Sequence, residues 1–197
     1  MMPSISVIIS TYNKPNFLEK VLTGYCFQTF NDFEIIIADD GSSKETKEMI
    51  NRFERKISQK IYHVWHEDNG FRKCKILNKA IKKSSNEYLI FTDGDCIPNQ
   101  KFVENHSHLS KKGFFLSGGH FPLNEQTSNE IKLDDIKSQQ CFSPRFIISR
   151  GQPFGKDFLK LTNNYFLSNL LDKITLTRKT FNGNNSSAWR KDIIYSN

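Results

Sequence analysis

Two aspartates, Asp93 and Asp95, stand one residue apart directly after the apolar run EYLIFT at residues 87–92. Ionised carboxylates lose hydration inside an apolar sheet without gaining a partner, so this pair is expected at the exposed carboxyl end of a strand. Carboxylate oxygens there suit Mg²⁺ or Mn²⁺, ions that keep coordination positions open for phosphate oxygens. Asp and Gly are also ordinary turn residues, so the segment alone leaves a metal site and a plain turn both open.

Four short runs rich in β-branched and aromatic residues predict the strands that position this pair. They span residues 5–10, 33–38, 60–65 and 87–92. Helical segments separate them, and Pro15 suits the first turn of the first helix. The alternation of strand and helix is typical of an α/β fold, with a Rossmann-like, mostly parallel sheet flanked by helices in a single domain.

Polar stretches follow the first, second and fourth strands: STYNKP, ADDGSS and TDGDC. Ligands of parallel α/β sheets bind at the carboxyl ends of the strands, so these stretches are expected to meet in space. The sequence contains neither a G-x-G-x-x-G fingerprint nor a Walker loop. A bound phosphate would therefore be neutralised by a metal and basic side chains, which points away from redox and kinase chemistry.

Several other features favour structural roles. The third helix is predicted to bury a face made of Phe71, Cys74, Leu77 and Ile81. His63 and His66 flank Trp65 without a third ligand, so we interpret them as structural. The cysteines lack metal-binding or disulfide spacing and are predicted to be buried free thiols; they are Cys26, Cys74, Cys96 and Cys141.

Composition describes a globular chain of 197 residues with a net charge of +7. Its amino terminus lacks a basic leader, and no apolar stretch approaches the length that spans a bilayer, so a cytoplasmic location is expected. The charge suits phosphate-bearing ligands, an anionic membrane surface or nucleic acid, and does not choose among them. Most basic residues alternate with acids on helix faces, as a solvated surface does.

Five segments resemble the family 2 glycosyltransferases, which have the GT-A nucleotide-sugar fold. They are SVIISTYNKPNFLEKVL, QTFNDFEIIIADDGSS, DNGFRKCKILNKAI, EYLIFTDGDCIPNQKFV and FNGNNSSAWRKD. The segments occur in the family's order and cover nearly the whole chain. The resemblance implies a transferase that moves a sugar from a UDP-sugar to a glycan or lipid-linked acceptor, with a role in surface polysaccharide synthesis.

The resemblance also implies roles for residues that bind the donor. Ser10 and Tyr12 would lie beside the nucleotide, and the tyrosine ring would offer a face for the base. Asp40 would accept a hydrogen bond from the imide N–H of uracil, with Asp39 as the adjacent candidate.

The same resemblance implies that a metal ion binds the diphosphate of the donor. Asp93 would lie near the ribose and the metal, and Asp95 would be the main ligand of Mn²⁺ or Mg²⁺. The family often has arginine where this chain has Leu77, so Arg72 or Lys75 is expected to supply the missing positive charge.

The mechanism implied by the family is a metal-assisted displacement that inverts the anomeric carbon. Its catalytic base comes from an acidic motif that has no match here, and the chain ends at DIIYSN before the expected position. No residue is therefore assigned as the base, and the chain alone is expected to bind a donor more readily than to transfer a sugar.

Residues 1–112 are predicted to form the donor part and residues 113–197 the acceptor-side part of the same domain. Asn184, Ser186 and Trp189 are the acceptor-side contact candidates. Residues 155–173 are predicted to be an amphipathic helix that packs on the core, with contact to a membrane surface as the alternative.

Two other classes of function stay open. One is a nucleotide-sugar-binding domain without catalysis, which the missing base favours. The other is a basic nucleic-acid-binding domain, which only the net charge supports, so nucleic acid is not expected as a partner. Peripheral contact with the inner face of the membrane accompanies the predicted cytoplasmic location.

Overall fold

Six strands form one sheet in residues 2–161 and 180–196, the part of the chain that the computed structural model describes. The strands are β1 (Ile5–Thr11), β2 (Phe33–Asp39), β3 (Ile61–Trp65), β4 (Tyr88–Asp93), β5 (Leu116–Ser117) and β6 (Asn185–Trp189). Their order is β3-β2-β1-β4-β6-β5; the first four are parallel, and β6 pairs antiparallel with both of its neighbours. The predicted mostly parallel α/β sheet is confirmed.

Helices connect and flank these strands. They are α1 (Pro15–Tyr25), α2 (Lys44–Glu54), α3 (Lys73–Lys83), α4 (Phe102–Leu109), α5 (Glu125–Glu130), α6 (Leu133–Lys137), α7 (Pro144–Ser149) and α8 (Arg190–Tyr195). Two short 3₁₀ helices span Gln140–Phe142 and Lys156–Leu161. None of the helices in the described ranges combines the length and apolarity needed to cross a bilayer.

Strands β1 and β2, and β4 up to its last residue, are buried on both faces of the sheet, as their unbroken apolar runs predict. Along β1, Val7 and Ile9 point into a cluster that includes α1 and α2, whereas Ile8 points into a second cluster with Ile76 and Ala80 of α3. Successive strand residues face opposite sides of a sheet, so one strand supports both clusters. These layers fix the strand ends in place.

Helix α3 buries a different face from the one predicted. Ile76 and Ala80 are fully buried, and Leu77 and Ile81 pack at the edge of their cluster. The prediction is wrong for Phe71, which precedes the helix and is 87% exposed. It is also wrong for Cys74, which lies on the exposed side of the first turn.

All four cysteines are free thiols, but they differ in burial. Cys141 is buried as predicted, Cys26 and Cys96 are half-buried, and Cys74 is exposed. Burial, followed by the charges of Asp95 and Asp93, raises the pKa of Cys96 to about 12. This thiol therefore stays protonated at neutral pH.

The chain divides into two compact units: residues 1–117 with 181–197, and residues 118–180. The first contains the sheet. The second contains α5, α6, α7 and the 3₁₀ helices. Of the predicted helix at residues 155–173, residues 156–161 form a 3₁₀ helix, and residues 162–173 lie outside the described ranges.

A buried histidine ties helix α4 to strand β6. His106 Nδ1 lies 2.7 Å from Ser187 Oγ, and its Nε2 lies 3.0 Å from Asn185 Oδ1. The hydroxyl of Tyr88 on β4 lies 2.7 Å from the same serine oxygen. Burial lowers the pKa of His106 to about 4. The neutral imidazole therefore belongs to the folded state.

We predict that His106 makes the stability of the fold fall on acidification. Above pH 6.5 the imidazole is neutral in both states and its contribution is complete; between pH 6.5 and about 4 the unfolded chain takes up a proton that the folded chain does not. The loss amounts to roughly 3 kcal/mol of unfolding free energy. Urea denaturation from pH 4 to 8 should show this slope in the natural chain and a smaller slope in His106→Gln. Equal slopes would contradict the assignment.

Candidate functional site

A cavity of about 370 Å³ opens at the carboxyl ends of β1, β2 and β4. The three polar stretches expected to meet do meet there. Its lining consists of Ser10, Thr11, Tyr12, Lys14, Ala38, Asp40, Gly70, Phe71, Lys73, Ile76, Asp93, Gly94 and Asp95. Segments far apart in sequence therefore share one site.

The strand register explains this convergence. Ser10 of β1 pairs with Ala38 of β2 on one side and with Asp93 of β4 on the other. Directly after β4, the Gly94 N–H donates to the carbonyl of Ser10 at 2.7 Å. A Cβ at Gly94 would lie 2.9 Å from that oxygen, so only glycine allows this close approach.

Asp93 is held by two donors that share one of its oxygens. Ser10 Oγ donates to Asp93 Oδ1 at 2.5 Å, and Lys73 Nζ lies 2.5 Å from the same oxygen. Among the described residues both bonds end on Oδ1, so Oδ2 keeps its lone pairs for a further ligand. Sequence reasoning missed Lys73, because a lysine in the first turn of a helix has the pattern of a solvated surface residue.

Asp95 is more open to solvent than Asp93. The side chain of Asp95 is 46% exposed, and its Oδ2 lies 3.4 Å from Nζ of Lys14. Lys14 is itself 58% exposed, so the pair is a loose surface ion pair that constrains neither side chain strongly. Lys14 was also missed from the sequence, although it lies inside the STYNKP stretch.

The two aspartates at the carboxyl end of β2, Asp39 and Asp40, differ in direction. Asp39 is 1% exposed and does not line the cavity; its Oδ2 lies 2.8 Å from His63 Nε2, and its Oδ1 accepts the Ser42 N–H at 2.8 Å. The fold thus uses both oxygens of Asp39, and among the two neighbouring candidates Asp40 is the one that reaches the cavity.

Asp40 is anchored from behind while it faces the cavity. Its Oδ1 lies 2.6 Å from His66 Nε2, and its Oδ2 accepts the backbone N–H of Arg72 at 2.8 Å. Each carboxylate oxygen has a second lone pair, so both contacts leave Asp40 able to accept a ligand N–H. The interpretation of His63 and His66 as structural residues agrees with these contacts.

Two aromatic side chains lie at the cavity. Tyr12 is 47% exposed, and its hydroxyl donates to Asp68 Oδ2 at 2.8 Å, which raises the pKa of the phenol. Phe71, predicted as a core residue, instead exposes its ring beside the cavity. Aromatic faces of this kind can stack on a planar base.

The other predicted contact residues do not line this cavity. The guanidinium of Arg72 donates to the carbonyl of Glu67. Ser186 is fully buried with its hydroxyl bonded to Asn182, and Trp189 packs edge-on against Tyr88 at 5.4 Å. Asn184 precedes β6, next to Gly183. The acceptor-side roles of residues 184, 186 and 189 stay predictions.

The segment before β6 nevertheless comes close to the cavity. A Cβ built at Gly183 would lie 3.5 Å from Nζ of Lys73. The sequence analysis missed β6, because NSSAW has no apolar alternation and Trp189 is its one residue of high β-propensity.

The cavity residues fit a divalent cation that is shared with a ligand. Asp93 and Asp95 provide carboxylate oxygens at one strand end, and within the described ranges no group of three or more His, Cys, Asp or Glu residues forms a complete metal cage. Mg²⁺ and Mn²⁺ in such sites take their remaining ligands from water and substrate phosphates.

Comparison with known proteins adds a family match. The family model for Glycosyl transferase family 2 matches residues 6–175. Glycosyltransferase AglE of Haloferax volcanii is 33% identical over 121 residues, which are 60% of this chain and 39% of that protein. Chondroitin synthase of Escherichia coli is 31% identical over 110 residues, which are 55% of this chain and 16% of that protein. The chain thus matches less than half the length of either relative.

A solved structure shares the fold. The mannosyltransferase PcManGT from Pyrobaculum calidifontis, in complex with GDP-Man and Mn²⁺, superposes with a TM-score of 0.55 at 20% identity. The alignment covers 60% of this chain and 36% of that chain.

Gly41 fixes the distance between the end of β2 and the segment that carries Asp68. Its φ is +100°, and a Cβ there would lie 2.6 Å from Asp68 Cα. Gly70 has a φ of +76° but no neighbour within 4 Å, so it is a matched control. We expect Gly70→Ala to cost about 1–2 kcal/mol of unfolding free energy through backbone strain alone.

Gly41→Ala should cost at least about 1 kcal/mol more than Gly70→Ala, because the backbone at Asp68 must also move. Chemical denaturation of the two variants measures the difference. Equal losses would show that the close approach of Gly41 and Asp68 does not constrain the site.

Proposed function

The chain belongs to glycosyl transferase family 2, and from this premise we propose that it binds a nucleotide sugar and transfers the sugar to an acceptor hydroxyl. The expected GT-A-type fold is confirmed. One observation carries the proposal: a single cavity presents Asp40 from the end of β2 and the pair Asp93 and Asp95 from the end of β4. An N–H donor of a base and a cation-bound diphosphate would each find a carboxylate there.

The proposed donor is a UDP-sugar. Asp40 would accept the imide N–H of uracil, because its lone pairs toward the cavity remain available. Tyr12 and Phe71 would supply aromatic faces for the base, and Ser10 would lie beside the nucleotide while it holds Asp93. Asp39 would support this site only indirectly: its contacts with His63 of β3 and with the backbone of Ser42 fix the segment that carries Asp40.

Asp93 and Asp95 would hold the proposed Mn²⁺ or Mg²⁺. The bound ion would offset the charge that grows on the leaving nucleoside diphosphate. Ser10 and Lys73 fix Asp93, and Lys14 lies beside Asp95, so two ammonium groups are also available to the phosphates. All the cavity-lining residues fall within 1–112, which supports the proposal that this part binds the donor and residues 113–197 serve the acceptor.

We further propose that transfer inverts the anomeric carbon in one displacement, for which a base must take the proton of the acceptor hydroxyl. In the described ranges, the carboxylates that line the cavity are Asp40, Asp93 and Asp95. Each of them already has a role in the proposed donor site, so none is assigned as the base. This observation also favours the second candidate function, a domain that binds a nucleotide sugar without transferring it.

A glycan or lipid-linked acceptor, a role in surface polysaccharide synthesis and a cytoplasmic location are further parts of the proposal. The match to a chondroitin synthase, a protein named for the polysaccharide it makes, supports the polysaccharide role. Peripheral contact with the inner face of the membrane stays a prediction.

Asp95→Asn should remove the cation-dependent part of nucleotide binding. The side chain is exposed and its one ion pair is loose, so the fold should tolerate the change. Isothermal titration of UDP with Mn²⁺ should show affinity for the natural chain at least about tenfold higher than for the variant, since a charged metal ligand has been lost.

Asp134→Asn is the matched control, because Asp134 is exposed in the second unit and pairs only with Lys137 among the described residues. It should bind UDP as the natural chain does. An Asp95→Asn variant that keeps its full response to Mn²⁺ would overturn the metal assignment, and absence of UDP binding to the natural chain would overturn the donor proposal.

A further inference from the structure

Lys73 places an ammonium group among the carboxylates of the cavity. Its Nζ lies 2.5 Å from Asp93 Oδ1, and its side chain is only 30% exposed. Lys14, the other lysine in the cavity lining, is farther from its partner Asp95, at 3.4 Å, and 58% exposed. Lys73 is therefore the better fixed of the two positive charges.

Neither basic residue expected from the sequence takes this place. The guanidinium of Arg72 is directed to the carbonyl of Glu67, and Lys75 is exposed on α3 outside the cavity lining. A simple surface ion pair would explain a lysine beside an aspartate. It would not explain why the ammonium lies on the cavity wall, at the aspartate proposed to receive a cation.

The start of α3 bridges the two acidic ends of the cavity. The backbone N–H of Arg72 donates to Asp40, and the side chain of the next residue, Lys73, reaches Asp93. If Asp40 receives the base and Asp93 lies near the cation, Lys73 stands between them. A diphosphate that links the nucleoside to the sugar must pass through this region.

We propose that Lys73 is a built-in counter-charge for the donor diphosphate. It neutralises Asp93 Oδ1 when no cation is bound, and it binds phosphate oxygens of the nucleotide, so part of the affinity for UDP does not require metal. A cation and Lys73 then compete for the negative charge of Asp93. This inference rests on the nucleotide-sugar function proposed above.

The proposed competition predicts changes of opposite sign in two affinities of the variant Lys73→Met. This substitution keeps most of the side-chain length and removes the charge. In EDTA, the affinity for UDP should fall roughly tenfold or more, because charge-assisted bonds to phosphate are lost. With Mn²⁺ alone and no nucleotide, the affinity for the ion should rise, because Asp93 loses a competing cation. A residue with only a structural role would not tighten Mn²⁺ binding.

Two further variants complete the test. Lys75→Met removes a lysine from the same helix outside the cavity and should change both affinities by no more than about twofold. Lys73→Arg keeps the charge and should retain most of the UDP affinity in EDTA. Thermal unfolding of each variant establishes that it folds.

Uridine, which lacks phosphates, separates failure of this inference from failure of the proposed function. If the natural chain binds neither UDP nor uridine, the donor proposal fails. If it binds UDP only when Mn²⁺ is present, the metal-independent role of Lys73 is overturned. The same follows if Lys73→Met binds UDP in EDTA within twofold of the natural chain, or binds Mn²⁺ more weakly. We expect the affinity for UDP to depend on Lys73 and the affinity for uridine not to depend on it.

Discussion

Compensation of negative charge at the carboxyl edge of a buried parallel sheet is the constraint on which the site depends. Four aspartates stand at this edge, and each has a partner from another segment. Asp39 and Asp40 are hydrogen-bonded to His63 and His66, and Asp93 and Asp95 form ion pairs with Lys73 and Lys14. Charges this close to an apolar core must be paired or hydrated. The contacts that satisfy them also fix the loops that form the cavity.

The carboxylates at this edge differ in burial and in how firmly their partners hold them. Asp39 is buried and uses both oxygens within the fold. Asp40 is anchored but faces the cavity. Asp95 is 46% exposed with one loose ion pair. The same sheet edge thus offers a rigid carboxylate and a more adaptable one, which suit the proposed roles of base acceptor and cation ligand.

Sequence patterns predicted the parts of this arrangement that repeat along the chain. Strands buried on both faces have continuous apolar runs, so the strands could be predicted. Parallel strands place their carboxyl ends at one edge of the sheet, so the meeting of the three polar stretches could be predicted as well. Phe71 was assigned to the core because the apolar pattern continued through it, although α3 begins only at Lys73. Strand β6 was missed because it is stabilised by pairing with β4 and by the contact of Ser187 with His106. Neither contact can be predicted from the sequence of the strand itself.

Partners of charged groups were harder to predict than the groups themselves. Asp93 and Asp95 stand out because two acids follow an apolar run, whereas Lys73 resembles the many other lysines on helix surfaces. Only the packing of α3 against the sheet brings its ammonium to Asp93. The same holds for His63 and His66, whose partners are separated from them by 24 and 26 residues.

A crystal structure of the chain with UDP and Mn²⁺ would show whether this sheet edge binds the donor. We expect the base within hydrogen-bond distance of Asp40 and the ion coordinated by Asp95, with the diphosphate between them. A nucleotide bound away from Asp40, or an ion that contacts neither Asp93 nor Asp95, would contradict it.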